Sequence, residues 1–208
     1  MTEEEARVWL DRRNVPRETL ARLSAFGDAL RDENQRQNLV AASTLDNFWG
    51  RHIVDSAQLL DHTEPGGTWI DLGSGAGFPG LVVAALSDRP VTLVESRSKR
   101  VNFLNFAIDL LALRDRVEVF GGRAEMLPQR QFATISARAF APLGRLLTIA
   151  HRFAAPNTRW LLPKGRSAAA ELEEVAGSWQ GEFRIEQSVT DSDAAIIVAR
   201  HVRPRRLP

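Results

Sequence analysis

The sequence predicts an α/β protein built on a seven-stranded, mostly parallel sheet with helices on both faces and a short helical extension in front. Three observations lead there. From residue 68 onward short apolar runs alternate with helical segments, the pattern of strand–helix–strand crossovers. The last two strands lie close together, as an antiparallel hairpin at a sheet edge requires. The first 65 residues show apolar spacings of three and four and no strand signal. Residues 1–65 are therefore read as an N-terminal helical extension and 66–208 as one compact α/β domain.

Taken in order, Pro16 opens a helix whose Leu20, Leu23, Phe26 and Leu30 share one stripe. A second helix follows Thr44 and carries Phe48, Trp49, Ile53, Leu59 and Leu60. Pro65, Gly66 and Gly67 then break the chain. Strands are expected at 68–72, 91–95, 117–120, 132–136, 159–162, 183–188 and 194–201. Helices are expected at 81–86, 97–113, 143–153 and 168–177. The terminal Arg203, Pro204, Arg205 and Arg206 read as a mobile basic tail.

With 208 residues, 44% of them hydrophobic and 25% charged, the chain can bury a core. It has no cysteine, which excludes disulfides, thiolate metal sites and thiol nucleophiles. No apolar run approaches the roughly 20 residues of a membrane span. No basic and apolar leader opens the chain, so a cytoplasmic home is expected. The net charge of +1 is unevenly spread. Residues 1–66 hold 8 basic against 12 acidic side chains, whereas residues 121–170 hold 8 basic ones against Glu125 alone. That stretch is a candidate anion-facing surface. Of the 27 basic residues 25 are Arg, a side chain that forks onto phosphate and stacks on bases.

The most informative segment runs from Asp71 to Gly80, with Gly73, Gly75, Gly77 and Gly80 between the first strand and the first crossover helix. Such a turn lets the backbone approach a ligand at the carboxyl edge of the sheet. Gly75, Gly77 and Gly80 also fit the dinucleotide fingerprint. Pro79 inside it, however, has no N–H to offer a pyrophosphate. Asp71 would suit a ligand that carries positive charge, such as S-adenosylmethionine. Glu95, at the end of the second strand, is placed to accept ribose hydroxyls, the alternative being a surface acid. Ala124 and Glu125, after the third strand, are placed to line an adenine; Arg123 and Glu125 can also be read as a solvated helix start. Arg138 leaves the fourth strand where cofactor and substrate meet, with a structural ion pair as the other reading. Lys164 and Arg166 follow the fifth strand as candidate substrate-binding cations or as a solvated turn. His52 shares a helix with Trp49, Ile53 and Asp55 and is expected to pack or hydrogen-bond against the core. His62, His151 and His201 are scattered without metal-ligand spacing.

The run Asp71 to Gly80, followed by Glu95, Ser96, Lys99, Arg100, Phe103 and Leu104, then Arg123 to Glu125 and Ser136, Arg138 and Ala139, resembles the bacterial 16S rRNA guanine-N7 methyltransferases, the glucose-inhibited division protein B family. Asn38, Leu39 and the segment Arg51 to Ser56 are similar to that family's N-terminal signature. The resemblance covers about Asn38 to Gly165. It implies a Rossmann-like class I methyltransferase fold, and S-adenosylmethionine contacted by Gly73, Phe78, Ala124, Glu125 and Arg138, with Gly75, Gly77 and Glu95 completing the expected cofactor site. It implies one guanine of 16S rRNA as the substrate and 16S rRNA or the small ribosomal subunit as the partner. Arg123, Lys164 and Arg166 are the expected RNA contacts, and a monomer without membrane or metal is expected.

Guanine N7 carries a lone pair and no proton, so no general base is expected among the residues. An adenine-N6 enzyme is disfavoured because Ser136, Ala137, Arg138 and Ala139 stand where an Asp/Asn-Pro-Pro-aromatic tetrad would. A nicotinamide-dependent oxidoreductase, a small-molecule methyltransferase and a non-catalytic RNA-binding or assembly module remain as alternatives.

Overall fold

In the computed structural model, which describes residues 1–205, the seven strands form one sheet in the order β3-β2-β1-β4-β5-β7-β6. They are β1 (Trp69–Leu72), β2 (Val91–Glu95), β3 (Val117–Gly121), β4 (Phe132–Ser136), β5 (Ala154–Lys164), β6 (Trp179–Gln187) and β7 (Ala195–Pro204). The first five run parallel, and β7 pairs antiparallel with both β5 and β6. The strand order reverses at β1, which pairs with β2 on one side and β4 on the other. A crevice opens at such a switch point above the carboxyl ends of the strands.

The helices are α1 (Glu3–Asp11), α2 (Arg17–Gln37), α3 (Asp55–Ala57), α4 (Gly80–Ala85), α5 (Ser98–Leu110), α6 (Leu143–Ala150) and α7 (Ala168–Val175). Every residue of β1 and β2 is buried, because helices cover both faces. Their side chains divide by pleat: Trp69, Val91 and Leu93 join the core beneath α2, α4 and α5, while Ile70, Leu72 and Val94 join the one beneath α6 and α7. The α2 stripe of Leu23, Phe26 and Leu30 is fully buried, and Phe26 lies 5.5 Å from the Phe78 ring and 6.1 Å from that of Phe103.

Four differences from the sequence reading have local causes. Helix α1, which the apolar spacing does not mark, is started by a capping box: Thr2 Oγ1 accepts from Glu5 N at 3.2 Å, and Glu5 Oε2 accepts from Thr2 N at 2.7 Å. The expected helix after Thr44 is a chain of short turns, 3₁₀ over Ala42–Asn47, π over Trp49–Val54, then α3 and 3₁₀ again over Gln58–His62. Strand β5 begins earlier than the apolar run, since Ala154 is already paired with Phe132 before a bulge. The basic tail is mostly not a tail: Arg203 and Pro204 lie in β7 opposite Gln180 and Trp179, and Arg205 N donates to Ser178 O at 2.8 Å. Arg206 lies outside the described residues.

Candidate functional site

Two adjoining clefts occupy the switch-point edge. The first, about 480 Å³, is lined by Gly73, Glu95, Arg97, Arg123, Ala124, Glu125, Phe140, Arg145 and Ile149 among others. The second, about 730 Å³, is lined by Arg51, His52, Asp55, Arg138, Lys164 and Arg166 among others. Ala139 lines both. Its φ of 52° is left-handed, a conformation that costs a non-glycine residue about 1–2 kcal/mol. Here it parts its neighbours, with Arg138 lining the larger cleft and Phe140 the smaller.

The smaller cleft is built from strand ends. Glu95 closes β2 almost fully buried; its Oε2 accepts from Gly75 N at 3.1 Å and its Oε1 from Arg97 N at 2.8 Å. The carboxylate is thus pinned in orientation while each oxygen keeps a lone pair. Gly73 has a φ of +71°, and a Cβ there would meet the Phe140 ring at 2.6 Å. Ala124 opens a short 3₁₀ turn after β3. Glu125 is held ionised by Arg123, whose Nη2 donates to it at 3.0 Å.

Gly75, Gly77 and Phe78 line neither cleft, and Arg138, which the resemblance places on the cofactor, lines the larger cleft and not the smaller. A Cβ on Gly77, whose φ is +97°, would strike Leu81, so this glycine serves the packing of α4. Phe78 is buried against Phe26 and stacks on His52, with ring centroids 4.7 Å apart and planes 18° apart. Asp71 is fully buried and so faces no ligand, contrary to the sequence reading. Its Oδ1 accepts from Ser136 Oγ at 2.7 Å and its Oδ2 from Gly80 N at 3.3 Å, and burial pushes its pKa up. The N–H that begins α4 is therefore already taken by a carboxylate, where a pyrophosphate would need it free.

In the larger cleft Arg138 reaches Asp55 Oδ2 at 3.4 Å, the Arg51 carbonyl at 3.5 Å and His52 Nδ1 at 3.5 Å, and it lies 5.0 Å over the Phe78 ring. Burial depresses its pKa, which Asp55 and Asp71 hold up. His52 is buried as expected, and burial first, then Arg138 and Arg51, lowers its pKa to about 3. It is neutral, and the network fixes its tautomer. Thr44 donates to the Ala41 carbonyl at 2.6 Å, so its oxygen accepts from His52 Nε2–H at 2.8 Å and leaves Nδ1 to accept from Arg138.

The expected RNA contacts do not assemble. Arg123 sits at the smaller cleft, whereas Lys164 and Arg166 line the larger. Lys164 is 12% exposed and bonds Glu171 at 2.7 Å, and Arg166 pairs with Asp193 at 80% exposure. Sequence reasoning missed Phe140, Arg145 and Ile149 at the first cleft and Asp55 and Asp191 at the second. Phe140 had a signal, an apolar residue just past a site strand; Asp191 had none, since its partner Arg51 is 140 positions away.

Residues 19–202 match the family model GidB, described as rRNA small subunit methyltransferase G. The chain belongs to this family. It is 59% identical to a protein of that name from Rhizorhabdus wittichii, over 99% of this chain and 95% of the relative. It is 49% identical to another from Zymomonas mobilis, over 99% and 97%. A solved structure of a SAM-dependent methyltransferase from Aquifex aeolicus shares the fold, with a TM-score of 0.60 at 16% identity over 80% of this chain and 96% of that one. No described helix is long and apolar enough to cross a membrane, and no group of three or more metal-competent His or acidic side chains occurs among the described residues.

Proposed function

We infer that this chain transfers a methyl group from S-adenosylmethionine to N7 of one guanine in 16S rRNA. The observation that carries this is the pair of clefts meeting at Ala139, one shaped for a nucleoside and one charged and larger, on the switch-point edge. The smaller cleft fits the cofactor: a pinned carboxylate at Glu95 for the ribose hydroxyls, Phe140 and Ile149 as apolar wall, and Ala124 with Glu125 beside the base. When bound, the cofactor supplies a methyl group activated by a sulfonium.

Gly73, Glu95 and Phe140 would hold that donor facing the larger cleft, where guanine N7 could accept the methyl group through its own lone pair. No proton moves at N7, which agrees with clefts whose His52 is locked neutral as an acceptor for Arg138. Gly73 and Glu95 would hold the donor side, with Gly75 fixing Glu95 through its N–H, and Arg138 faces the acceptor side; Gly77 and Phe78 act from behind, through α4 and His52. Positioning of two reactants can remove about 7–11 kcal/mol from a barrier. A nicotinamide oxidoreductase is disfavoured by the Asp71 carboxylate on the α4 N-terminus. Tritiated methyl transfer to 16S rRNA, with mapping of the product, should label a single guanine at N7. Label on another atom, or none on naked RNA and on small subunits alike, refutes the reading.

A further inference from the structure

We propose that the larger cleft receives the acceptor guanine, that Arg138 selects it through O6, and that His52 and Asp55 are positioning residues that hold Arg138 for this task. The proposal rests on the methyltransferase reading above and assigns the residues that choose the base.

Four observations lead to it. Among the described residues Ala139 alone lines both clefts, so a base in the larger cleft faces a donor in the smaller across a single small side chain. The left-handed backbone at Ala139 is what gives Arg138 to the acceptor side. Arg138 is held only by long contacts of 3.4–3.5 Å at Nη1 and Nη2, so its donors are aimed but not consumed. The groups that aim it are themselves fixed. His52 is clamped between the Thr44 hydroxyl and the Phe78 ring, and Asp55 Oδ1 accepts from Gln58 Nε2 and Thr190 Oγ1, each at 3.1 Å.

The chemistry of the cleft matches guanine rather than adenine. Guanine places the O6 acceptor beside N7, whereas adenine places an amino donor there. Arg has donors and no acceptor, so it attracts the first edge and opposes the second. A contact to O6 also leaves the N7 lone pair free to face the methyl group. A protonated His52 would have no acceptor for Arg138, and its charge would repel the guanidinium; burial keeps it neutral.

The test compares the full-length wild type with His52→Leu, His52→Gln and Asp55→Asn on two RNAs, one with guanine and one with 2-aminopurine at the target position. 2-Aminopurine keeps N7 and lacks O6. The wild type should prefer guanine about 10- to 100-fold, the discrimination expected of one well-placed base contact. His52→Leu and Asp55→Asn should lose most of that preference through kcat on the guanine RNA, with S-adenosylmethionine affinity by calorimetry within about twofold of wild type. His52→Gln, which restores a neutral acceptor, should recover part of the preference, a rescue that a purely structural role would not give. Melting curves identify any variant that fails to fold, and Asp55→Asn, nearly isosteric, then decides alone. Wild-type discrimination in the folded variants, or cofactor affinity falling as far as turnover, overturns the proposal. A wild type that methylates no RNA overturns the functional reading as well, whereas a wild type that methylates guanine N7 equally with and without O6 overturns this proposal only.

Discussion

At the scale of single residues, the site depends on groups that are pinned before any ligand arrives. Glu95 has both oxygens fixed by backbone N–H groups, so its contribution to cofactor binding comes preorganised. Glu95→Gln should weaken S-adenosylmethionine binding by about 1–3 kcal/mol, the scale of a lost charged hydrogen bond. Unchanged affinity in calorimetry would remove Glu95 from the donor site. His52 yields a pH prediction. Its folded pKa of about 3 lies below the ordinary value of 6.5. Between those limits the unfolded chain binds a proton that the folded chain refuses, so stability falls as pH drops through the window. Burial is the main cause, and the charged neighbours Arg138 and Arg51 add to it. Between pH 7 and pH 5 the loss traceable to His52 should be ~2 kcal/mol. Denaturant titrations at the two pH values should show it in the wild type and not in His52→Gln; equal slopes in both proteins would mean that His52 titrates normally.

At the scale of elements, loops and turns rather than long helices tie the site together. The π turn at Trp49–Val54 brings Arg51 and His52 to the larger cleft, and α1 supports it, because Glu3 Oε1 accepts from Trp49 N at 2.7 Å. On the opposite side of the molecule Arg89 performs a comparable task. It is 5% exposed, pairs with no carboxylate among the described residues, and donates to the Gly66 and Glu64 carbonyls and to Thr63 Oγ1. Burial accordingly lowers its pKa. These bonds fasten the segment that leads into β1 to the start of β2. Arg89→Ala should destabilise the protein by about 1–3 kcal/mol in denaturant melts, since buried carbonyls lose their donors. S-adenosylmethionine affinity should be retained at temperatures where the variant is folded. A variant as stable as wild type would mean that water replaces the guanidinium without loss.

At the scale of the whole molecule, charge counted along the sequence misstates charge presented in space. The basic stretch at 121–170 has one acid inside it, yet among the described residues five of its eight cations are ion-paired: Arg123, Arg130, Arg138, Lys164 and Arg166. Four of the five partners, Glu118, Asp55, Glu171 and Asp193, come from outside the stretch. Lys164 therefore belongs to a half-buried pair with Glu171, while Arg123 and Arg166 remain 69% and 80% exposed. Exposed pairs exchange readily for phosphate because they are worth little in water. Replacing Arg123 and Arg166 together by Ala should flatten the slope of log RNA affinity against log salt by about 1.4, at roughly 0.7 per phosphate. Lys164→Ala should instead lower thermal stability and leave that slope nearly unchanged. A Lys164→Ala slope change as large as that of either Arg would place the Lys on the RNA.

The order of elements, all seven strands, the glycine turn and the placement of Glu95, Ala124, Glu125 and Arg138 at strand ends were legible in the sequence. Such features follow from local periodicity and from the rule that ligands sit at the carboxyl ends of parallel strands. Helix α1 was not read, because apolar spacing does not mark it and the Thr2–Glu5 capping box that starts it is local side-chain chemistry rather than periodicity. What only the tertiary structure decided was direction and partnership. Asp71 reads as a ligand carboxylate and turns inward to Ser136 and Gly80; Phe78 reads as a ligand contact and stacks on His52 instead of lining a cleft. Arg138 and Phe140 are two residues apart and line different clefts because Ala139 is left-handed, and Arg51 meets Asp191 across 140 positions. A periodic pattern records which face of its own element a side chain occupies. The partner it meets there is chosen by the packing of segments far apart in the chain, and no local pattern encodes that choice.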